Sequence, residues 1–239
     1  MSPAARSVHR RSSRGRTILR ATLACLLVGF VVAVIVGGVL YARVTAEPAW
    51  WTPALAGDAG AAALAEEAEK GLTRVLSRER LTGEAWTVEL TEAQANAWLA
   101  TRLERWATSQ HADWPQRMRG VRVEFEPGTV IVGVAVDVGG STRYVSLALE
   151  PTDAEETEAA FRLGSAKVGV QSVPITTLRS VAGDVLADSS VPEEVRRVIQ
   201  EGVIELPDAF AVDDARRVSI RGILIEPSRM LITFEAGAP

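Results

Sequence analysis

The run ATLACLLVGFVVAVIVGGVLYA, Ala21 to Ala42, holds 22 residues without a charged side chain. A helix over it is roughly 33 Å long, enough for the hydrocarbon core of a bilayer. A secretory signal peptide has a shorter apolar region, of about 7–15 residues, so the length favours an uncleaved signal-anchor. Val44-Thr45-Ala46 is a small-residue stretch that would suit cleavage. Arg6, Arg10, Arg11, Arg14, Arg16 and Arg20 precede the run, and Arg43 is the one basic residue just beyond it. The positive-inside rule then puts the N-terminus in the cytoplasm and about 190 residues on the far side. The expected order is a basic cytoplasmic tail over 1–20, a transmembrane anchor over 21–42, a linker over 43–60 and an extracytoplasmic α+β domain over 61–239.

Charge divides at the same place. Residues 1–43 carry seven arginines and no acid, which leaves 19 basic and 30 acidic side chains from Val44 onward. Nucleic acid is therefore disfavoured as a partner of the outer part. The arginines are explained as an orientation signal, by position and sign together. Cys25, the single cysteine, lies inside the apolar run and excludes a disulfide within the chain.

Beyond the linker, in which Trp50 and Trp51 would suit either a membrane interface or the domain surface, Leu64, Ala68, Leu72, Val75 and Leu76 recur at helical spacing. Trp86 to Leu90 alternates as a short strand. Thr91 and Gln94 form a capping box that opens a second helix, with Ala95, Trp98, Leu99, Arg102, Leu103 and Trp106 on its inward stripe. Asn96 is unfavourable within a helix; exposed filler and a bond to a neighbouring strand edge explain it equally well.

From Val121 the period falls to two. Val121, Val123 and Phe125 share a face, and valines at 130, 132, 134, 136 and 138 line one side of the next strand, with turns expected at Pro127-Gly128 and Gly139-Gly140. That middle strand is apolar on both faces and needs cover on each. The stretch FRLGSAKVGVQSVPITTL reads as a strand with a bulge or bend near Ser165 and Gly169, ended by Pro174, which starts a helix. Ser190 and Glu193 form a second capping box that opens a helix ended by Gly202, and the chain finishes in a hairpin turning at Pro227-Ser228-Arg229. FEPGTVIV (125–132) and IEPSRMLI (225–232) echo one another, which suggests a long curved antiparallel sheet or two related halves.

Catalytic chemistry is thinly represented. The chain has two histidines, His9 in the basic tail and His111, so a Ser-His-Asp triad is not expected. Ser165 and Lys167 stand two apart on one strand face, but nothing nearby supplies an oxyanion hole or a desolvated pocket. The acidic stretch TDAEETE lacks the spaced ligands and glycine of a calcium loop. No catalytic residue, metal or cofactor is expected.

The order Leu-Thr-Glu-x-Gln-x-Asn-x-x-Leu in VELTEAQANAWL, together with FRLGSAKVGVQSVPITTL and the later ELPD, resembles the YpmS-like family of single-span bacterial membrane proteins. The resemblance runs from about Trp86 to Glu235 in order of elements, and implies an extracytoplasmic envelope domain without assigned catalytic residues. A helix held in a curved sheet is also similar in shape to tubular lipid-binding domains. The expected fold is α+β, an N-terminal transmembrane helix followed by a curved antiparallel sheet packed by helices. The expected function is a non-enzymatic envelope module that binds a hydrophobic ligand or an envelope protein, its cleft formed by Trp98, Leu99, Trp106, Val132 and Val134. The alternatives are a structural subunit of a membrane assembly and a hydrolase using acidic residues.

Overall fold

The computed structural model describes residues 30–52, 59–111, 114–152, 160–177, 201–207, 209–213 and 216–237. The chain divides into two compact units, Met1–Ala42 and Arg43–Pro239. A first helix (α1) covers residues 30–45. The anchor expected over 21–42 lies partly outside the described residues, among which no helix is long and apolar enough to cross a membrane.

The second unit is α+β, with antiparallel sheet and helices. Its order is α2 (Ala59–Ser77), β1 (Ala85–Thr91), α3 (Glu92–Thr101), α4 (Leu103–Ser109), β2 (Met118–Glu126), β3 (Thr129–Val138), β4 (Ser141–Pro151), β5 (Ala160–Val168), β6 (Gln171–Val173), β7 (Val203–Glu205), β8 (Phe210–Asp213), β9 (Arg216–Glu226) and β10 (Arg229–Ala236). The strands form two hydrogen-bonded sheets. One runs β1-β10-β9-β8; the other runs β2-β3-β4-β5-β6, with β7 also on β5. β1 thus pairs with β10, from Ala85 opposite Glu235 to Thr91 opposite Arg229.

The expected hairpin turns form, and the two echoing ones meet. Gly128 donates its N–H to the Ile225 carbonyl at 3.0 Å, and Ser228 donates to the Phe125 carbonyl at 3.2 Å. Gly128 and Ser228 both have positive φ, 73° and 65°, the value that a type II turn asks of its third residue. Phe125 and Ile225, next to the turns, are buried in one cluster with Val130, Leu149 and Leu163. Ala95, Ile223 and Met230 pack against it, so the core sits where the two hairpins and α3 converge.

α3 begins at the capping box, both of whose bonds are present. Its buried residues are Asn96 and Ala97. Asn96 donates to the Val123 carbonyl at 2.8 Å and accepts from the Val123 N–H at 2.9 Å. Glu92, one turn earlier, accepts from the Phe125 N–H at 3.0 Å. Two side chains at helical spacing thereby occupy the free edge of β2. This selects the strand-edge explanation of Asn96.

Three local expectations change. The second helix is broken at Arg102, whose φ of −121° and ψ of −33° leave helical geometry, and Trp106 beyond the break is 53% exposed. In α2 the expected Leu64, Ala68, Val75 and Leu76 are half-buried around the fully buried Ala65, and only Leu72 departs from the expected stripe, being exposed. FRLGSAKVGVQSVPITTL is a hairpin, because Gly169, at φ 59°, reverses the chain between β5 and β6. The bulge sits between Leu163 and Ser165, and residues 175–177 after Pro174 are helical. The capping box at Ser190 and Glu193, the basic tail, Cys25 and most of TDAEETE lie outside the described residues.

Candidate functional site

Antiparallel partners share a sheet face, so the registers of the six-stranded sheet sort its side chains into rows. The row nearest the hairpin turns is Phe125, Val130, Leu149 and Leu163, all buried. The next is Val123, Val132, Leu147, Ala166 and Val173; Val123, Val132 and Leu147 pack on the core cluster. The third, Val121, Val134, Val145 and Val168, is half-buried throughout, as is the fourth, Met118, Val136 and Arg143. One apolar face is therefore buried in the row at the turns and, apart from Ala166, half-buried in every row beyond it.

The opposite face is closed by a different device. A Cβ on Gly133 would collide with the Trp50 ring and stand 3.1 Å from that of Trp51, so glycine here makes room for the tryptophan pair. The rings of Trp50 and Trp51 meet at 5.6 Å, and Trp51 packs edge-on against Tyr144 at 5.2 Å. Tyr144 in turn donates its hydroxyl to Glu47 at 2.9 Å, and both burial and that bond raise its pKa. The segment from Arg43 to Thr52, expected as linker, is packed on the sheet, and the two tryptophans belong to the domain.

Beside this strap the same face carries Arg122, in register with Gly133, Ser146 and Lys167. Burial lowers the pKa of Arg122 against the opposing pull of Glu92, and its Nε and Nη1 are buried without an acceptor. Glu124 is held above the ordinary carboxylate range chiefly by burial, then by Glu126 and Glu92, with Lys167 acting in the other direction. Ser165 and Lys167 are both exposed, so the pair lacks the desolvation that a nucleophile and its amine base need. Among the described residues no group of three or more His, Cys, Asp or Glu could hold a metal ion.

The residues expected to form a cleft fall into two groups. Trp98 and Trp106 meet at 6.3 Å, and Trp98 donates its indole N–H to Glu69 of α2 at 2.9 Å. Val132 and Val134 of β3 lie on the apolar face of these rows, and Leu99 is half-buried on α3. The half-buried rows add Val121, Val136, Val145 and Val168. Alternation in the sequence showed that each has an inward face, but only the register shows that they share one.

No family model, no curated protein and no solved structure matches this chain.

Proposed function

We propose that the outer unit is a non-enzymatic, membrane-anchored envelope module that binds an acyl chain along the half-buried rows of the six-stranded sheet. The observation that carries the reading is the change along a single face, where Phe125, Val130, Leu149 and Leu163, buried beside the turns, give way to half-buried rows that end in Val121, Val134, Val136, Val145 and Val168. A ligand methylene contributes about 0.8 kcal/mol when buried against such a surface. A chain of alkyl groups fits it better than a polar ligand, since Arg143 is the one charged member of these rows. The resemblance to the YpmS-like family and the uncharged run support the same placement, with the N-terminus cytoplasmic and the unit outside. Titration of a fluorescent fatty acid into a chain beginning at Arg43 tests it. Saturable binding that Val134→Asp abolishes and Leu224→Asp leaves intact is expected; equal binding by both variants rejects the site.

A second reading is favoured by a separate observation. Trp106 and Leu72 are both exposed on the helices, and large exposed aromatics suit a protein partner. A structural subunit of a membrane assembly would use that surface. It predicts loss of a co-isolated envelope protein with Trp106→Ala, with fatty-acid binding unchanged.

A further inference from the structure

We propose that the ligand of the apolar face is a fatty acid, its carboxylate held by Arg143 and its chain lying along Val145, Val134 and Val132 toward the hairpin turns. This rests on the reading of the half-buried rows as an acyl site and adds the head group and its direction. The first observation is the row to which Arg143 belongs. Arg143 is the partner of Val136, and Val145, two residues on, is the partner of Val134, so the guanidinium leaves the sheet on the same face as the valines. Leu149 of the buried row lies farther along the same strand, at about 20 Å from Arg143. A head group at Arg143 therefore leaves the length of a long alkyl chain before the face closes. Beyond Arg143, Val138 is 50% exposed, so this end of the face reaches water.

The second observation is the distribution of charge along β2, β3 and β4. At the end remote from the Pro127-Gly128 turn, residues 117–120 and 135–144 carry Arg117, Arg119 and Arg143 against one acid, Asp137. At the turn end, residues 124–131 and 146–151 carry Glu124, Glu126 and Glu150 and no base. Arg122 lies between the two, on the opposite face. An anionic head group is thus attracted to one end of the face and repelled from the other, in a unit whose acids outnumber its bases. Asp137 is already engaged by Arg119 and by the Thr142 hydroxyl, and Arg117 is exposed. One half-buried guanidinium is left to face the rows, and a single planar carboxylate matches its two-point geometry. Arg143 has an interaction of its own; the five N–H donors of a guanidinium leave enough to take a carboxylate as well.

The test uses the full chain in phosphatidylcholine nanodiscs. A long-chain fatty acid with a photoreactive diazirine at its tail is compared with the fatty alcohol of the same length, each corrected for partition into empty discs, and labelled sites are mapped by peptide mass spectrometry. Both are expected to label β3 and β4, the acid half-saturating at about one-tenth of the alcohol's concentration. That advantage should shrink with added salt, vanish in Arg143→Gln and survive in Arg221→Gln, on the other sheet. Equal half-saturation by acid and alcohol overturns this inference and leaves the acyl site standing. An advantage that persists in Arg143→Gln also overturns it. Should that variant not fold, the acid–alcohol comparison in the parent chain and its salt dependence decide alone. Preferential labelling by a diazirine phosphatidylglycerol rejects the fatty acid in favour of a phospholipid. Labelling of the six-stranded sheet by none of these probes overturns the acyl reading and this inference with it.

Discussion

The hairpins β2–β3 and β9–β10 share their local design and differ in what surrounds them. A constant offset of 100 residues relates Phe125 to Ile225, Pro127 to Pro227 and Gly128 to Ser228, and each turn donates a backbone bond to the other. Their surroundings diverge. The free edge of β2 is sealed by Glu92 and Asn96 of α3, whereas β9 is paired by β8. The outer face of the first hairpin accepts the strap at Gly133. At the corresponding place the second has Thr233, which meets Thr87 on a face that also carries the Arg221–Glu235 ion pair. Equivalent turns thus fix one shared core, and substitutions away from the turns assign each hairpin its own work.

The largest expected effect strikes what the hairpins share. Phe125→Ala should destabilise the unit by about 3–5 kcal/mol and Ile225→Ala by about 2–5 kcal/mol, the ranges for such core truncations, and denaturant unfolding measures this. Because both side chains lie in one cluster, the double variant should depart from additivity. Additive losses would mean two independent cores. Next comes the sealed edge, present on one hairpin alone. Asn96→Ala leaves the Val123 N–H and carbonyl without their partner and should cost about 1–3 kcal/mol, with faster amide exchange at Val123. An Asn96→Ala chain as stable as the parent would show that the bonds are incidental. The smallest effect separates the turns. Ser228→Gly relieves a left-handed residue and should stabilise by a few tenths to about 1 kcal/mol, whereas Gly128→Ser should lose a similar amount. Equal signs would contradict the equivalence of the two positions.

Much of the local structure was legible because it is written in neighbouring residues. Thr91 and Gln94 announced the start of α3, the alternating valines announced β3, and Pro-Gly, Gly-Gly and Pro-Ser announced the turns. The echo at 125–132 and 225–232 was legible too, though not that its copies bond to each other. What stayed hidden depends on distant partners. Periodicity says that Trp86 to Leu90 is a strand but not that β10, at the other end of the chain, pairs with it. A glycine within a strand is a gap until its neighbour is known, and at Gly133 that neighbour is the Trp50 ring. Gly169 looked like a bend in one strand because the short β6 has little pattern of its own. The same holds for the site. Val132 and Val134 follow from the pattern of their strand, whereas helical spacing, on which Trp98 and Trp106 rest, cannot tell the side facing β2 from the side facing α2.

The central claim is that the half-buried end of the apolar face holds an acyl chain, and native mass spectrometry of the outer unit, purified from Arg43 onward without detergent, tests it most directly. The account predicts a species heavier than the bare chain by the mass of a fatty acid or phospholipid, reduced to the bare mass by Val134→Asp in a chain whose circular dichroism is unchanged. A bare chain that takes up neither lipid class on incubation would contradict it.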